Sequence, residues 1–287
     1  MKLSGRGVLI TGASTGFGKA VAQACIAEGA DVLLCSRNEE ALRQTRDELA
    51  AQAGKNQAVL FQVADVADPA AVEMLVKTAG EQLPAFTGVV NNAGVYGPMG
   101  RLEDTPLEEW AAAIAINLLG TMQVCRAVLP GFRKRGYGKI VNLSGGGATA
   151  PLPNISSYAA SKAAVVRLTE TLAEETQGAG IDINSVAPGA LNTRLLEEVI
   201  EAGPEKVGSA FYDRALKQKQ AGGAPLEKGA GLCVYLLSSQ SDGISGRLIS
   251  AIWDPWETLT ERKQQLQETD VYTLRRIVPK DRGLDWD

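Results

Sequence analysis

The chain has 287 residues, of which 45% are hydrophobic, and its formal net charge is −4 at pH 7. The length suits one large α/β domain or two small ones, and the interspersed charges argue against nucleic acid as a partner. Histidine is absent, which excludes imidazole-based triads and zinc sites, and we predict no metal site. No apolar run of membrane-spanning length and no charged-then-apolar leader is found, so we expect no membrane contact and a cytoplasmic protein.

Short apolar runs alternate with amphipathic segments along most of the chain. Strands are predicted at residues 7–11, 31–36, 58–63, 87–91, 139–143, 181–187 and 247–252. Helices are predicted at residues 16–28, 39–53, 69–82, 106–133, 157–177 and 226–238, the fourth being bent near Gly120. Buried strands that alternate with helices are typical of a parallel, doubly wound sheet. The pattern therefore predicts an α/β fold of the Rossmann type, with seven parallel strands flanked by helices.

Two segments fall outside this alternation. Residues 190–223 are charged and partly amphipathic, which predicts a helical flap. Residues 254–287 follow the last strand and contain the stretch VYTLRRIVP, which either docks on the body or a neighbouring subunit or belongs to a disordered tail. We therefore predict one domain over residues 1–253, including the flap, and a C-terminal extension over residues 254–287.

A glycine-rich turn follows the first predicted strand. Its sequence, TGASTGFG at residues 11–18, places backbone N–H groups and a helix N-terminus where a pyrophosphate would bind, although a plain tight turn is the alternative. The second strand ends at Ser36, Arg37 and Asn38. Arg37 can form charge-assisted bonds to a 2′-phosphate, whereas a carboxylate there would favour a ribose diol. These residues favour NADP(H) over NAD(H), and the alternative is a surface arginine without a ligand.

Tyr158 and Lys162 stand four residues apart in a predicted helix, so they share one helix face. A phenol has a pKa of about 10, and lowering it to about 7 requires roughly 4 kcal/mol in favour of the phenolate. An ammonium group one turn away supplies a field of this kind. We therefore expect Tyr158 to act as the acid/base and Lys162 to lower its pKa, although most such pairs are ordinary helix faces.

The whole set of motifs resembles the short-chain dehydrogenase/reductase family, in its single-domain NAD(P)-binding branch. The matching stretches are TGASTGFG at 11–18, Asp65-Val66, NNAG at 91–94, Asn117, YAASK at 158–162 and PGALNT at 188–193. The resemblance implies hydride transfer between NADP(H) and a carbonyl or alcohol, with Tyr158 as acid/base and Asn117 anchoring a water in a proton relay to Lys162. Together with the turn and the end of the second strand, the expected cofactor site comprises Gly12, Ser14, Thr15, Gly16, Phe17, Gly18, Ser36, Arg37, Asn38, Asp65, Val66, Asn92, Ala93, Gly94, Tyr158, Lys162, Pro188, Gly189 and Thr193.

The chain departs from the family at one catalytic position. Counting back from Tyr158 by the family's usual spacing reaches Gly145 instead of a serine, and Ser144 precedes it. Either the loop shifts so that Ser144 fills the role, or a backbone N–H of Gly145 or Gly146 or a substrate group replaces it, or ordinary reductase activity is lost. Because losing one oxyanion donor costs only about 10²–10³ in rate, we favour the first two. The expected catalytic residues are Tyr158, Lys162, Asn117 and Ser144.

Other functions and several substrates stay open at this stage. A dinucleotide-binding scaffold or sensor with weak catalysis would account for Gly145, and a redox-neutral epimerase would borrow and return the hydride. Apolar and basic flap residues suit an acyl thioester, a sugar nucleotide or a polyketide-like ketone, or are simply two faces of a helix. The alanine-rich helices at 106–133 and 157–177 carry more than one apolar stripe, and relatives commonly pair through them. We therefore expect a homodimer or homotetramer.

Overall fold

A seven-stranded parallel sheet forms the centre of the molecule, whose computed structural model describes residues 1–286. Within these residues the strands are β1 (Gly7–Thr11), β2 (Asp31–Ser36), β3 (Val59–Val63), β4 (Phe86–Asn91), β5 (Gly138–Leu143), β6 (Ile181–Ala187) and β7 (Leu248–Ser250). Their spatial order is β3-β2-β1-β4-β5-β6-β7, and every neighbouring pair is parallel. The predicted fold class, a Rossmann-type doubly wound sheet, is confirmed.

Helices cover both faces of the sheet. They are α1 (Gly16–Ala27), α2 (Glu39–Ala50), α3 (Pro69–Gln82), α4 (Leu107–Ile114), α5 (Gly120–Arg135), α6 (Ser156–Glu175), α7 (Arg194–Ala202), α8 (Pro204–Val207), α9 (Ser209–Ala221), α10 (Leu226–Leu237) and α11 (Lys263–Glu268). Successive strand residues point to opposite faces. Val8 and Ile10 therefore pack with α1, α2 and α10, whereas Leu9 packs with α3 and α5. This two-sided burial explains why the strands read as continuous apolar runs.

The helical stretch Leu107–Arg135 is continuous but irregular. A π-helical segment, Ala115–Leu119, joins α4 to α5 and contains Asn117, so the predicted irregularity begins before Gly120. By length and composition alone, this stretch of 29 residues is long and apolar enough to cross a membrane. We had expected no apolar run of that length in the sequence. Its inner face is part of the protein core, where Phe132 is buried beneath the sheet. Helices at the core of folded domains meet the same criterion.

The flap and the extension both pack on the body. In the flap, which comprises α7, α8 and α9, four apolar side chains form what we call the flap cluster: Leu196, Val199, Val207 and Ala215. In the extension, the carbonyl oxygen of Tyr272 accepts a hydrogen bond from the Leu248 N–H of β7 at 2.8 Å. The Leu274 N–H donates to the carboxylate of Glu170 on α6 at 2.6 Å. The extension therefore docks on the body, the first of the two predicted alternatives.

The last strand is shorter than predicted. β7 ends at Ser250, whose N–H donates to the carboxylate of Asp254 at 2.6 Å. The Ala251 N–H makes a last bond to β6 by donating to the carbonyl oxygen of Ala187 at 2.9 Å, and the chain then turns away from the sheet. The carboxyl ends of β6 and β7 are left facing the flap and the extension.

Candidate active site

A cleft of about 1270 Å³ opens at the carboxyl edge of the sheet. β1 pairs with β2 on one side and with β4 on the other, so the strand order reverses at β1. In doubly wound sheets, the loops on either side of such a reversal separate and leave a crevice between them. Ser144 and every expected cofactor-binding residue line this cleft. Asn117 is the exception, because it lies fully buried behind the cleft wall. The cleft is therefore lined by residues that are widely separated in the sequence.

The glycine turn between β1 and α1 has steric reasons for its glycines. Gly12 has φ +64°, and a β-carbon on it would lie 2.8 Å from the Cα of Ala93. A β-carbon on Gly18 would overlap the carbonyl oxygen of Gly12. The side chain of Thr15 makes no capping bond to α1, and the first turn of that helix holds no acidic residue. The N–H groups and partial positive charge of this helix end are therefore available to an anion.

Thr11 and Asn92 clamp this turn to the end of β4. The side-chain amide of Asn92 donates to the carbonyl oxygens of Thr11 at 3.0 Å and of Gly12 at 2.9 Å. The Thr11 hydroxyl accepts the backbone N–H groups of Asn92 and Ala93, both at 3.1 Å. Asn92 thus shapes the floor of the cleft through the backbone. Sequence reasoning missed Thr11, because its role depends on the pairing of β1 with β4.

At the end of β2, Arg37 offers the cleft a guanidinium group. Its Nη1 atom lies 3.7 Å from the carboxylate of Asp65, and both side chains are partly exposed. The side chain of Asn38 instead caps α2, with Oδ1 accepting the Ala41 N–H at 3.0 Å. Of the three predicted residues here, Arg37 therefore carries the charge that can meet a phosphate.

Tyr158 and Lys162 lie one turn apart on α6, as their spacing predicts. The Nζ of Lys162 donates to the carbonyl oxygen of Leu143 at 2.8 Å and lies 5.6 Å from the centroid of the Tyr158 ring. Burial lowers the pKa of Lys162 to about 8. Burial also raises the pKa of the Tyr158 phenol above its ordinary value. Desolvation disfavours the phenolate and is the largest influence on this pKa, so the expected role of Lys162 in lowering it stays a prediction.

Gly145 leaves space that the Tyr158 hydroxyl occupies. A β-carbon on Gly145 would overlap that hydroxyl oxygen and lie 3.2 Å from the Cζ of Tyr158. The backbone of Gly145 is extended, a conformation open to any residue, so the constraint is steric. The neighbouring Ser144 hydroxyl is buried in the cleft wall without a hydrogen-bond partner among the described residues. Because an orphaned buried hydroxyl is costly, Ser144 is suited to a bound oxygen atom.

Asn117 holds the loop that follows β4. Its side chain accepts the Val95 N–H at 2.9 Å and donates to the Val95 carbonyl oxygen at 2.8 Å and to the Ser161 hydroxyl at 3.0 Å. A β-carbon on Gly94 would lie 3.2 Å from the Asn117 side-chain oxygen and 3.5 Å from the Nζ of Lys162. The polar ends of Asn117 and Lys162 therefore both lie close to Gly94. The π-helical turn around Asn117 is a local irregularity of the kind often found at functional sites.

Three aromatic residues complete the cleft and were missed by sequence reasoning. Tyr96 packs edge-on against Tyr158, with 4.7 Å between ring centroids. Trp253, which follows β7, lines the cleft and is 84% exposed. Tyr272 brings the C-terminal extension to the cleft and has a left-handed backbone, φ 64°. Neither periodicity nor a local motif marks these residues, because the tertiary fold places them.

Comparison with known proteins agrees with this geometry. The profile of the short chain dehydrogenase family matches residues 6–203. The D-beta-hydroxybutyrate dehydrogenase of Cupriavidus necator is 31% identical over 258 residues, which cover 88% of this chain and 96% of that protein. Levodione reductase of Leifsonia aquatica is 33% identical over 252 residues, which cover 86% of this chain and 93% of that protein.

Solved structures show the same likeness. A crystal structure of levodione reductase has a TM-score of 0.79 at 31% identity and covers 86% of this chain and 96% of its own. The gluconate 5-dehydrogenase of Burkholderia cenocepacia, in complex with NADP and tartrate, has a TM-score of 0.74 at 31% identity and covers 87% of this chain and 94% of its own. With its parallel sheet, glycine turn and Tyr-Lys helix, the chain belongs to the short-chain dehydrogenase/reductase family and is an oxidoreductase of that kind.

Proposed function

We propose that the protein is an NADP(H)-dependent oxidoreductase that interconverts a carbonyl and an alcohol by hydride transfer. The observation that carries the proposal is the shared cleft. The glycine turn opens into the same space as Ser144, Tyr158 and Lys162, so a dinucleotide held by the turn would end beside the phenol. The dehydrogenases and reductases among the relatives support this reaction class.

The residues of the cleft fit a dinucleotide. The free helix end at Thr15 suits the pyrophosphate, and the guanidinium group of Arg37 can form charge-assisted bonds to a 2′-phosphate. The NADP complex of the related gluconate 5-dehydrogenase supports the same choice of cofactor. We propose that Lys162 and Thr193 hold the nicotinamide end, with Pro188 and Gly189 beside it. The bound cofactor would supply the hydride.

Tyr158 supplies the proton in this proposal. Because burial raises its pKa, the phenol is neutral at pH 7 and can donate to the substrate oxygen as hydride arrives at carbon. The unpartnered hydroxyl of Ser144 donates a hydrogen bond to that oxygen and so takes the role of the missing family serine. Lys162 holds a charge beside the phenol while Tyr158 donates its proton, and Asn117 holds through Val95 the loop against which both are packed. After the transfer, Lys162 passes a proton towards the phenolate and regains one through a water that we propose is anchored at Asn117.

The test compares wild type with Tyr158→Phe, using purified protein, NADPH and a panel of carbonyl compounds. NADPH consumption is followed at 340 nm, and NADPH affinity is measured separately by fluorescence. Because general acid catalysis contributes about 10²–10⁴-fold, we expect kcat to fall by that factor at unchanged NADPH affinity. Tyr137→Phe is the matched control, because its hydroxyl contacts Arg6 and Asp242 instead. Equal turnover by wild type and Tyr158→Phe would refute the role of Tyr158.

The same assay separates the alternatives. Tight NADPH binding without turnover of any substrate would indicate a scaffold or sensor. Product formation at constant absorbance would indicate an epimerase. No observation favours either over hydride transfer, so the oxidoreductase is our conclusion.

We also propose that the enzyme is a cytoplasmic homodimer or homotetramer. A groove of about 440 Å³ runs between α5 and α6 on the outer surface, lined mainly by the apolar side chains of Met122, Leu129, Leu168 and Leu172. A second copy of the chain would bury this apolar face. Light scattering measures the mass in solution, and a monomer at micromolar concentration would contradict the proposal.

A further inference from the structure

Tyr96 occupies a position between the catalytic tyrosine and the flap. Its ring meets the ring of Tyr158 edge-on, with 4.7 Å between centroids and an interplanar angle of 67°. The same side chain packs against the flap cluster, as does Phe211 of α9. Tyr96 therefore touches the acid/base on one side and the flap that covers the cleft on the other.

The backbone around Tyr96 is held from two directions. Both backbone polar groups of the preceding Val95 bond to the side chain of Asn117, at 2.9 and 2.8 Å. The carbonyl oxygen of Tyr96 itself accepts the Ser157 hydroxyl at 3.2 Å, one residue before Tyr158. Gly97 follows with φ +75°, and a β-carbon there would lie 2.7 Å from the Ser157 hydroxyl oxygen. The loop is therefore fitted closely to the start of α6, which fixes the backbone of Tyr96 relative to Tyr158.

At its hydroxyl end, Tyr158 has no comparable aromatic contact among the residues that the structure describes. Gly145 has no side chain, and the hydroxyl of Tyr158 lies in the space that a β-carbon would fill. Lys162 lies over the face of the Tyr158 ring, 5.6 Å from its centroid. The ring of Tyr96 is thus an aromatic contact that can set the orientation of Tyr158 from the side of the flap.

We propose that Tyr96 is a positioning residue for Tyr158, whose ring it holds through an edge-to-face contact supported by the flap. The inference rests on the proposed role of Tyr158 as acid/base and adds the residue that keeps it oriented. It assigns the function to the ring of Tyr96 and gives its hydroxyl no part in proton transfer.

Three variants of the full-length protein test this inference. Tyr96→Phe keeps the ring, whereas Tyr96→Leu and Tyr96→Met fill part of the volume without it. Because an aromatic pair contributes a modest, orientation-dependent amount, we expect kcat to fall about threefold to tenfold in the Leu and Met variants. NADPH affinity should stay at the wild-type value in all three, and Tyr96→Phe should keep kcat within twofold.

A second measurement does not depend on turnover. The ionisation of Tyr158 is followed by ultraviolet absorbance between pH 8 and 11, as the difference between each protein and its Tyr158→Phe counterpart. Burial keeps this phenol neutral in wild type. Replacing the Tyr96 ring by Leu or Met admits water, so the pKa of Tyr158 should fall toward its ordinary value and a new phenolate should appear. Tyr96→Phe keeps the ring and removes only the smaller contribution that the charge of Tyr96 makes to this pKa, so its fall should be smaller than in the Leu and Met variants.

Tyr212→Leu is the control, because Tyr212 packs on the flap cluster and the described residues show no ring contact between it and Tyr158. An unchanged Tyr158 titration in both Tyr96→Leu and Tyr96→Met would overturn the inference. Equal impairment of Tyr96→Phe and Tyr96→Leu would also overturn it, because the hydroxyl and not the ring would then be responsible. If wild type turns over no carbonyl, the proposed function fails, while the titration still decides the role of Tyr96.

Discussion

A methyl group added at Gly145 should displace the phenol of Tyr158, the proposed acid/base. The β-carbon of Gly145→Ala would overlap the Tyr158 hydroxyl oxygen and approach Cζ to 3.2 Å and Cε1 to 3.4 Å. Relieving the overlap requires a shift of about 1 Å, and a misplacement of this size costs about 10²-fold in rate. The backbone is extended at φ −174°, so alanine introduces no strain of its own. We therefore expect kcat to fall about 100-fold, with a stability loss of about 1–3 kcal/mol from overpacking.

Gly145→Ser is the sharper experiment, because it restores the residue usual in the family. A well-placed hydroxyl donor would raise the rate by about 10²–10³. The serine carries the same β-carbon as alanine, however, so it displaces the proton donor that the new hydroxyl is meant to assist. We expect Gly145→Ser to stay below wild type and to exceed Gly145→Ala by less than tenfold.

The assay is NADPH consumption at 340 nm, with thermal melting and NADPH fluorescence to check folding and cofactor affinity. Gly146→Ala is the matched control, because a β-carbon on Gly146 meets no atom within 4 Å. It should keep its Tm and a kcat at least tenfold above that of Gly145→Ala. A Gly145→Ser variant more active than wild type would refute the reasoning, because the missing donor, and not the space around Tyr158, would then limit the rate.

Three further predictions follow from charged side chains. Arg37→Gln removes a charge-assisted bond, so the preference for NADPH over NADH in kcat/KM should fall about 10- to 150-fold, and an unchanged ratio would exclude a 2′-phosphate contact. Lys139 is 1% exposed, and its Nζ lies 2.6 Å from the carboxylate of Asp182, so this ion pair stabilises the sheet. Lys139→Met should therefore lower Tm by about 5 °C, whereas Lys134→Met, at an exposed position, should not lower it. The pKa of Lys162 is about 8, below its ordinary 10.5, so its own contribution to the free energy of unfolding should rise with pH between these values. Burial raises the pKa of the four cysteine thiols, whose contribution falls as the pH rises above about 9, so the test is the difference between two proteins. In urea melts at pH 8, 9 and 10, the wild-type slope should be more positive than that of Lys162→Met, and equal slopes would contradict the prediction.

The local parts of the site were predictable from the sequence. The i,i+4 spacing of Tyr158 and Lys162 puts them on one helix face whatever surrounds them. The glycine turn also follows from neighbouring residues, because a strand, a tight turn and a helix succeed one another within TGASTGFG. The helix start at Pro69 with its cap Asp68, which accepts the Ala70 N–H at 2.9 Å, is a third local pattern. Each depends on contacts within a few residues.

Contacts between distant segments were not predictable in this way. Tyr96 meets Tyr158, and Asn117 bonds to Val95, only because the β4 loop, the π-helical turn and α6 converge at one edge of the sheet. The Tyr272 backbone reaches β7 through a chain segment with no repeating pattern. The pKa of Tyr158 is the clearest case. The sequence shows the nearby ammonium group but not the depth of burial, which raises this pKa.

The sequence by itself therefore determined the order of strands and helices, the turn at the first strand and the identity of the Tyr-Lys pair. These depend on hydrophobic periodicity and short spacings, which are properties of neighbouring residues. Tertiary structure alone decided that the Tyr158 hydroxyl fills the space beside Gly145 and that Ser144 is left without a partner. Sterics and desolvation act between groups that the fold brings together, and the chain's linear order does not encode those distances in any local pattern.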